Sequence, residues 1–557
     1  MKRVYTSTVT DMSNSKNKCL NDSDFDFVVI GSGSAGGVVA NRLSESGKYT
    51  VLCIEAGTKG AGYIWTRPPL ALQYLVDNPA VDWRYESEPD PSYGDRSLAV
   101  PRGKMLGGSS SINAIVYNRG QRLDYETWSR LGCAGWSYRE VLPYFKKIES
   151  TKLGTDEFRG RKGPISVTQT RKLCKFYDLF FASSKAAGIP YNEDYSGPTQ
   201  EGAALAQLTA RNGARQSTAT SYLRPARSRK NLTILTGTEA TSLILEGKRC
   251  VGVRVARKGK TYNIRAQREV IVCAGTANTP KLLELSGIGN PDILRKHGID
   301  PVHELPGVGE NLRDHYAALL KWKFNRPGIS LATKGRGWRL GVEVLRWVLF
   351  RTGMISQGHG SVRVFARSSD QVKEPDVMMV VSPYIVELQA GKGRRMSKTE
   401  GFFMYSHVQR TESTGSIHIR SSSPVDAPVI KYRFLDTEYD RNTAIAAVRR
   451  ARDIASNVPL RDVIAEELAP GAAIESDAEI LAYIRDTGQS TQHMVGTCKM
   501  GKDPMAVVDE RLRVYGIANL RIADASVMPT IISGNTSVPC MMIGEKCADM
   551  ILEDNKR

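Results

Sequence analysis

Phe25-Asp26-Phe27-Val28-Val29-Ile30 runs directly into Gly31-Ser32-Gly33-Ser34-Ala35-Gly36-Gly37, and this junction decides how the chain is read. The apolar run has the composition of a buried strand, and Val38-Val39-Ala40-Asn41-Arg42-Leu43 continues with helical patterning. Gly31, Gly33 and Gly36 form G-x-G-x-x-G. In such a turn the first glycine permits the sharp bend, the second lets backbone approach a pyrophosphate, and the third lets helix pack on strand. The helix start adds N–H donors and a positive dipole for the anion. Tyr49-Thr50-Val51-Leu52-Cys53-Ile54-Glu55 is a second apolar strand ending in a carboxylate, where an adenosine ribose can be held. Glycines in a loop would be a weak signal alone. Strand, turn, helix, second strand and acid together specify a dinucleotide site, and an acid at Glu55 disfavours NADP. The pattern does not separate FAD from NAD.

Further strand-like segments lie at Leu232 to Leu245, Val251 to Val255 and Glu269 to Cys273, the last leading into another glycine turn and helix. Residues 60 to 160 are rich in Gly, Pro, Trp and Tyr and read as loop-heavy. The span from about 320 to 490 mixes strands (Val377 to Val381) with a helix over Thr443 to Ile454, and the last seventy residues restore short strands and a terminal helix. No repeat or low-complexity linker divides the chain. This organisation predicts a nucleotide-binding fold assembled from separated segments, with a second domain inserted between them.

Among 557 residues, 41% are hydrophobic and 24% charged, which excludes a disordered, collagen-like or disulfide-scaffold chain. Lys plus Arg exceed Asp plus Glu by 77 − 58 = 19, enough to suggest anionic partners. The charge is diffuse, its densest run being Gly391-Lys392-Gly393-Arg394-Arg395, and no nucleic-acid motif accompanies it. Nine cysteines, an odd number with no C-x-x-C spacing, fit a reduced chain and neither a disulfide framework nor a zinc site. Met1 to Ser23 is polar and reads as a disordered tail without a secretory signal. No window approaches the roughly 20 apolar residues that span a bilayer. A cytoplasmic location, with inner-membrane peripheral contact as an option, is expected.

Three other stretches stand out. Pro101-Arg102-Gly103-Lys104-Met105-Leu106-Gly107-Gly108-Ser109-Ser110-Ser111-Ile112-Asn113-Ala114 exposes backbone N–H groups through five small residues in a row, suiting either a ligand cradle or a flexible loop. Gly275 to Gly289 reads as a strand exit into a helix with a glycine stop. The C-terminal block holds Gln492-His493-Met494-Val495-Gly496, then Asp524-Ala525-Ser526, then Ser533-Gly534-Asn535-Thr536. A histidine beside a glycine turn can act as a base near neutral pH. With seven histidines present, residue chemistry alone does not single out His493.

Together, from about Asp24 to Ile551, these motifs resemble the glucose–methanol–choline (GMC) oxidoreductases, most closely the choline dehydrogenase-like alcohol dehydrogenases. The resemblance implies an α/β fold with a Rossmann-like FAD-binding domain built from discontinuous segments (24–160, 200–320 and 495–557). It further implies an inserted substrate-binding domain (161–199 and 321–494), α+β in character with an antiparallel sheet. It places FAD pyrophosphate on Gly31, Gly33, Ser34, Ala35 and Gly36, and adenosine on Glu55 and Ala56. Gly108, Ser109, Asn113, Ala114, Ile115 and Val116 would line the flavin, and the Ala240 backbone would meet adenine. Asp524 and Ala525 would meet the ribityl–pyrophosphate region, with Asn535 and Thr536 at the far end of the ring. His493 and Asn535 fall on the catalytic pair. His493 would remove the hydroxyl proton or hold the alkoxide while hydride passes to flavin N5, and Asn535 would hydrogen-bond the substrate oxygen.

Some positions depart from the family pattern. Met494 follows His493 where proline is common. Ile112 stands where some members carry a histidine bonded to FAD, so a non-covalent flavin is expected. Ser356-Gln357-Gly358-His359-Gly360-Ser361 lacks the carboxylate that pairs a trimethylammonium in choline-specific members, so choline is not the expected substrate. No metal is expected. The segment Trp338 to Arg351 reads as a basic amphipathic helix, either covering the substrate cavity or touching a membrane surface as would suit a quinone acceptor. The expected reaction is oxidation of a primary alcohol to the aldehyde with a quinone or other non-oxygen acceptor. The alternatives are an oxygen-using alcohol oxidase and an FAD-containing hydroxynitrile lyase-like enzyme.

Overall fold

The computed structural model of the chain describes residues 23–60, 64–389 and 393–556. The disordered tail expected over 1–23 lies outside these residues except for Ser23, which opens the first strand and pairs with Ile264. That strand, Ser23–Ile30, is central and parallel to its neighbours, Val51–Glu55 on one side and Lys260–Val272 on the other. Both faces are covered, which is why Phe27 to Ile30 form an unbroken apolar run and do not alternate. Leu232–Thr236 extends one edge, and Leu520–Ile522 pairs with the end of Lys260–Val272. The first half of that long strand instead pairs antiparallel with Arg249–Arg257, which returns along Glu239–Glu246 to complete seven strands. The single strand pattern read over Leu232 to Leu245 is thus two strands, broken at Gly237, whose φ of 61° makes the corner.

The helix Gly36–Leu43 follows the glycine turn and is roofed by the terminal helix Ser537–Asp554. The two approach closely at Gly544, where a Cβ would fall 2.8 Å from the Ala35 carbonyl. The region read as loop-heavy also contains two helices, Arg122–Arg130 and Tyr138–Ile148. The second is opened by a reciprocal Ser137–Glu140 capping box that the glycine-rich surroundings obscured.

A second seven-stranded sheet is antiparallel. Its order is Ile464–Ala469, Tyr316–Phe324, Gly401–Val408, Val377–Ser382, Val362–Ala366 and Gly202–Leu205, with Gln489–Ser490 also pairing with the start of Tyr316–Phe324. Gly202–Leu205 comes from the 200–320 segment, so that segment feeds both sheets. Strand alternation gives this sheet two different faces. Val362, Val364, Met379, Val381, Phe402 and Met404 point into a core shared with the helix Glu438–Ser456, longer at both ends than the expected Thr443 to Ile454. Ala317, Tyr405, His407, Val380 and Arg363, at the intervening positions, face a large cavity.

The helix Gly337–Phe350 lies at the edge of this cavity. Trp338 is 76% exposed, Leu345 56%, Leu349 61% and Phe350 70%, so this helix presents apolar side chains to solvent. No helix among the described residues is long and apolar enough to cross a membrane. The eight described cysteines are all free.

Candidate active site

The cavity has a volume of about 1770 Å³ and is lined from both sheets. Small-ligand pockets are roughly 300–1,000 Å³, so a dinucleotide and a second molecule fit together. The glycine turn forms part of its wall. Gly31 (φ 96°) has no room for a side chain, since a Cβ would lie 2.4 Å from the Cys273 carbonyl. Gly33 has nothing within 4 Å of where its Cβ would be and faces open cavity. The second motif packs straight onto the first: Gly107 N–H donates to the Ser32 carbonyl (3.1 Å), and a Cβ on Gly108 would meet the Gly33 Cα at 2.8 Å. Glu55 reaches back across the same turn, accepting from Ser32 Oγ (2.5 Å) and, through its other oxygen, from Gly57 N–H (2.9 Å). Asp524 accepts from Gly275 N–H and Thr279 Oγ1, tying the third motif to the C-terminal block.

His493 stands where this wall meets the antiparallel sheet. The pairing of Tyr316 with Ser490 and the bridge between Arg313 and Val495 bracket it opposite His315. Asp314 accepts the His493 and His315 backbone N–H groups on one oxygen (2.7 and 2.8 Å) and Ser490 Oγ on the other (2.5 Å). Gln492, directly before His493, is left-handed (φ 69°), a costly conformation for a non-glycine residue, and Arg102 holds it by donating to the Gln492 carbonyl and side-chain oxygen.

Hydrogen-bond partners fix the tautomers. His315 Nε2 lies 2.7 Å from the Gln409 carbonyl, which only accepts, so Nε2 carries the proton and Nδ1 is bare. His493 Nδ1, 2.9 Å from that bare nitrogen and 2.8 Å from Thr491 Oγ1, is therefore the protonated one. This leaves a lone pair on His493 Nε2, which receives Asn535 Nδ2 at 2.8 Å. Asn535 Oδ1 is buried without a partner on the cavity wall, so the site retains an unused acceptor where a ligand donor can bind.

Burial is the largest influence on each of these groups. It holds His493 neutral, well below the ordinary imidazole range, with His407, Arg102 and Arg363 adding repulsion. His315 is lowered in the same way by burial and by the two neighbouring imidazoles, and His407 falls to about 4. Asp314 rises to about 6 against three compensating hydrogen bonds. The site holds a neutral imidazole whose free Nε2 lone pair can accept the hydrogen bond of a hydroxyl, under a positive field that stabilises negative charge on that oxygen.

The cavity wall includes His493, Asn535 and Thr536, Gly31, Gly33, Ser34, Ala35, Glu55 and Ala56, and also Gly108, Ser109, Asn113, Ala114, Val116, Ala240, Asp524 and Ala525. Two expected contacts do not reach it. Gly36 is a packing glycine, its absent Cβ occupying the place of the Gly31 carbonyl (1.9 Å). Ile115 turns away at φ 56° into a small cluster with Ala206, Leu208 and Ala210, its backbone bonded to Asn113 and Thr209. Asp314, His315, Gln409, Arg102 and Arg363 escaped the sequence reading because no spacing connects them. The register of Tyr316 against Ser490 brings Asp314 and His315 to His493, and the pairing of Arg363 with Val380 and Ala204 places Arg363 on the cavity face.

Comparison with known proteins shows the family. Residues 25–317 and 411–544 match the N- and C-terminal models of a family described as GMC oxidoreductase. The chain is 41% identical over 535 residues to an oxygen-dependent choline dehydrogenase of Brucella suis biovar 1, covering 95% of each chain. It is 38% identical over 532 residues to the protein of that name in Vibrio vulnificus, covering 95% and 94%. Among solved structures it superposes on pyridoxine 4-oxidase from Mesorbium loti with a TM-score of 0.85 at 29% identity, covering 94% of this chain and 98% of that one. A formate oxidase gives 0.89 at 26% identity, covering 96% and 99%.

Proposed function

The chain belongs to the GMC oxidoreductase family, an alcohol-oxidising flavoenzyme with FAD as cofactor, and from that premise we propose that it takes a primary alcohol to the aldehyde and uses a quinone or another non-oxygen acceptor. The observation that carries the proposal is the bare His493 Nε2 beside the Asn535 amide on the cavity wall.

The cofactor would lie along the parallel-sheet half and the alcohol against the antiparallel sheet. Gly31, Gly33, Ser34 and Ala35 would take the pyrophosphate, Glu55 the adenosine ribose, and Asp524 with Ala525 the linking chain. Gly108, Ser109 and Asn113 would line the ring, and with Ile112 on the wall no histidine is there to tether it. Bound FAD would supply the acceptor for the hydride that leaves the alcohol carbon. The chain's own task is then to position the hydroxyl and take its proton. An entering hydroxyl donates to His493 Nε2 and accepts from Asn535 Nδ2, replacing the bond those two make with each other. The Asp314 carboxylate fixes the His493 backbone, and the His315 ring and Thr491 hydroxyl hold the imidazole at Nδ1, so that Nε2 is the nitrogen left for the substrate; such general-base assistance contributes about 10²–10⁴-fold.

A second observation bears on the acceptor. The exposed apolar helix Gly337–Phe350 also lines the cavity through Leu340, Val344 and Val348, and Arg336, Arg339, Arg346 and Arg351 surround it. An apolar helix in a basic setting is complementary to an anionic lipid surface, and one at the cavity edge would admit a lipid-soluble acceptor such as a quinone.

The test is anaerobic titration of the holoenzyme with alcohols, following flavin absorbance. Bleaching by primary alcohols, with slow recovery in air and fast recovery with a quinone, is the expected result. Rapid recovery in air would make it an oxidase. Cyanide release from a cyanohydrin without bleaching would make it a lyase.

A further inference from the structure

Arg363 lies on the strand Val362–Ala366, on the face that lines the cavity, between Ala204 and Val380 of the neighbouring strands. It is only 2% exposed. Its Nη1 is saturated by the Gly360 and Val362 carbonyls (2.6 and 3.0 Å), while Nε is buried with no partner. Three other buried guanidiniums have counter-ions: Arg119 and Arg159 share Glu149, and Arg521 lies between Glu269 and Asp554. Arg215 is buried without one, but it is held by three neutral acceptors, the Thr66 and Ser110 carbonyls and Asn113 Oδ1. Among the described residues no carboxylate comes within ion-pair distance of Arg363. The cavity wall carries five carboxylates and none pairs with Arg363: Glu55 is engaged by Ser32 and Gly57, Asp524 by Gly275 and Thr279, Asp77 by Arg84 and Glu387 by Ser397, and Glu239 also lies on the wall.

A guanidinium enclosed without an anion is costly, and in the fold only the two carbonyls on Nη1 offset that cost. With Nη1 occupied, the edge left over is the one bearing Nε, whose side-on geometry suits two oxygens of one planar carboxylate. Burial lowers Arg363 to about 10, so it stays cationic at neutral pH, and its field is felt at His493.

We propose that Arg363 sets substrate specificity by receiving a carboxylate of the substrate, so that the preferred alcohols are primary hydroxy-carboxylates and not quaternary ammonium alcohols. This rests on the alcohol-oxidising reading above and names the substrate class for the same site. The absence of a carboxylate over Ser356 to Ser361 points the same way, because a cationic head group seated beside that segment would meet the positive charge of Arg363.

The experiment is anaerobic reduction of the holoenzyme by three matched series: hydroxy-carboxylates of increasing length such as 4-hydroxybutyrate, the neutral n-alcohols of equal length, and choline. Wild type should prefer the best hydroxy-carboxylate to its neutral counterpart by about 10- to 100-fold in kcat/KM, the scale of a hydrogen bond to a charged group, with choline poorest. Arg363→Met should collapse that ratio, mainly through KM, and Arg363→Lys should keep part of it. Because Arg363→Met exchanges a buried charge and can disturb the sheet, wild-type inhibition is measured as well. Butyrate should compete with substrate, and butyramide and butyltrimethylammonium should not. Choline outranking the acids, butyrate failing to compete, or an unchanged ratio in a folded, flavin-loaded Arg363→Met would each overturn the proposal. No bleaching by any series would remove the alcohol-oxidising reading itself, and this one with it.

Discussion

His315 and His493 meet nitrogen to nitrogen, Nδ1 to Nδ1 at 2.9 Å, and the Gln409 carbonyl behind His315 decides which of the two holds the proton. The relationship makes His315 a positioning residue for the group that faces the substrate. His493→Ala should keep its flavin and lose about 10²–10⁴-fold in the rate of anaerobic reduction. His315→Ala, which leaves His493 free to rotate and to change tautomer, should lose about 10- to 100-fold, the scale on which orienting partners act. His315→Gln should recover part of that, since its amide oxygen can accept from His493 Nδ1. Stopped-flow reduction with a single alcohol measures all three, and a full rate in His315→Ala would refute the positioning role.

Asp314 adds a pH dependence. Its carboxyl is raised from the ordinary 3.8 to about 6 by burial, and its ionised form is the better acceptor for the His493 and His315 N–H groups. The reduction rate should therefore fall as pH drops through about 6. His493 itself, depressed well below its usual range, contributes no limb near 6.5. For stability the sign is opposite. The unfolded chain releases this proton first, so between pH 3.8 and about 6 the Asp314 contribution lowers stability as pH rises, and it is constant above that. Asp314→Asn should flatten both profiles, measured as reduction rate and as melting temperature against pH.

How much of this was legible in the sequence follows from which contacts are local. The Gly31 turn, the Glu55 strand end and the first helix sit within one supersecondary unit, so period, glycine spacing and the terminal acid were enough to find them. His493 and Asn535 lie only 42 positions apart but on separate loops, and it is likeness to a family that selects His493 from seven histidines and Asn535 with it. The Asp314–His315 support and Arg363 could not be read at all. They arrive through strand pairings, Tyr316 with Ser490 and Arg363 with Val380, and register between distant strands leaves no local pattern. Ile115 was misplaced because a left-handed φ of 56° at a β-branched residue reverses the direction its neighbours suggest.

Two glycines of one motif should fail differently. At Gly36 a Cβ would sit 1.9 Å from the Gly31 carbonyl, so Gly36→Ala must move the turn or the helix whether or not ligand is bound. Its melting temperature should fall in flavin-free protein as well as in holoenzyme. At Gly33 a Cβ meets nothing within 4 Å, so Gly33→Ala should fold normally and lose affinity for FAD, because the only thing displaced is a ligand approaching the backbone. Calorimetry of both variants with and without FAD separates the two effects. Equal destabilisation of the flavin-free forms would show that Gly33 is structural.

The exposed apolar helix yields the last prediction. Trp338, Leu345, Leu349 and Phe350 are all more than half exposed and do not line the cavity, so their apolar surface serves neither the core nor the substrate. Burying such side chains in a lipid interface is favourable by up to about 1.5–3 kcal/mol each, and the surrounding arginines add attraction to anionic head groups that salt screens. The holoenzyme should co-sediment with vesicles containing phosphatidylglycerol and less with purely zwitterionic ones, and raised ionic strength should weaken the difference. Leu345→Glu combined with Leu349→Glu should abolish co-sedimentation while anaerobic reduction by a water-soluble alcohol proceeds at the wild-type rate. A dimer in solution that dissociates in the double variant, with no vesicle binding by wild type at low salt, would instead mean that a second copy of the chain covers this face.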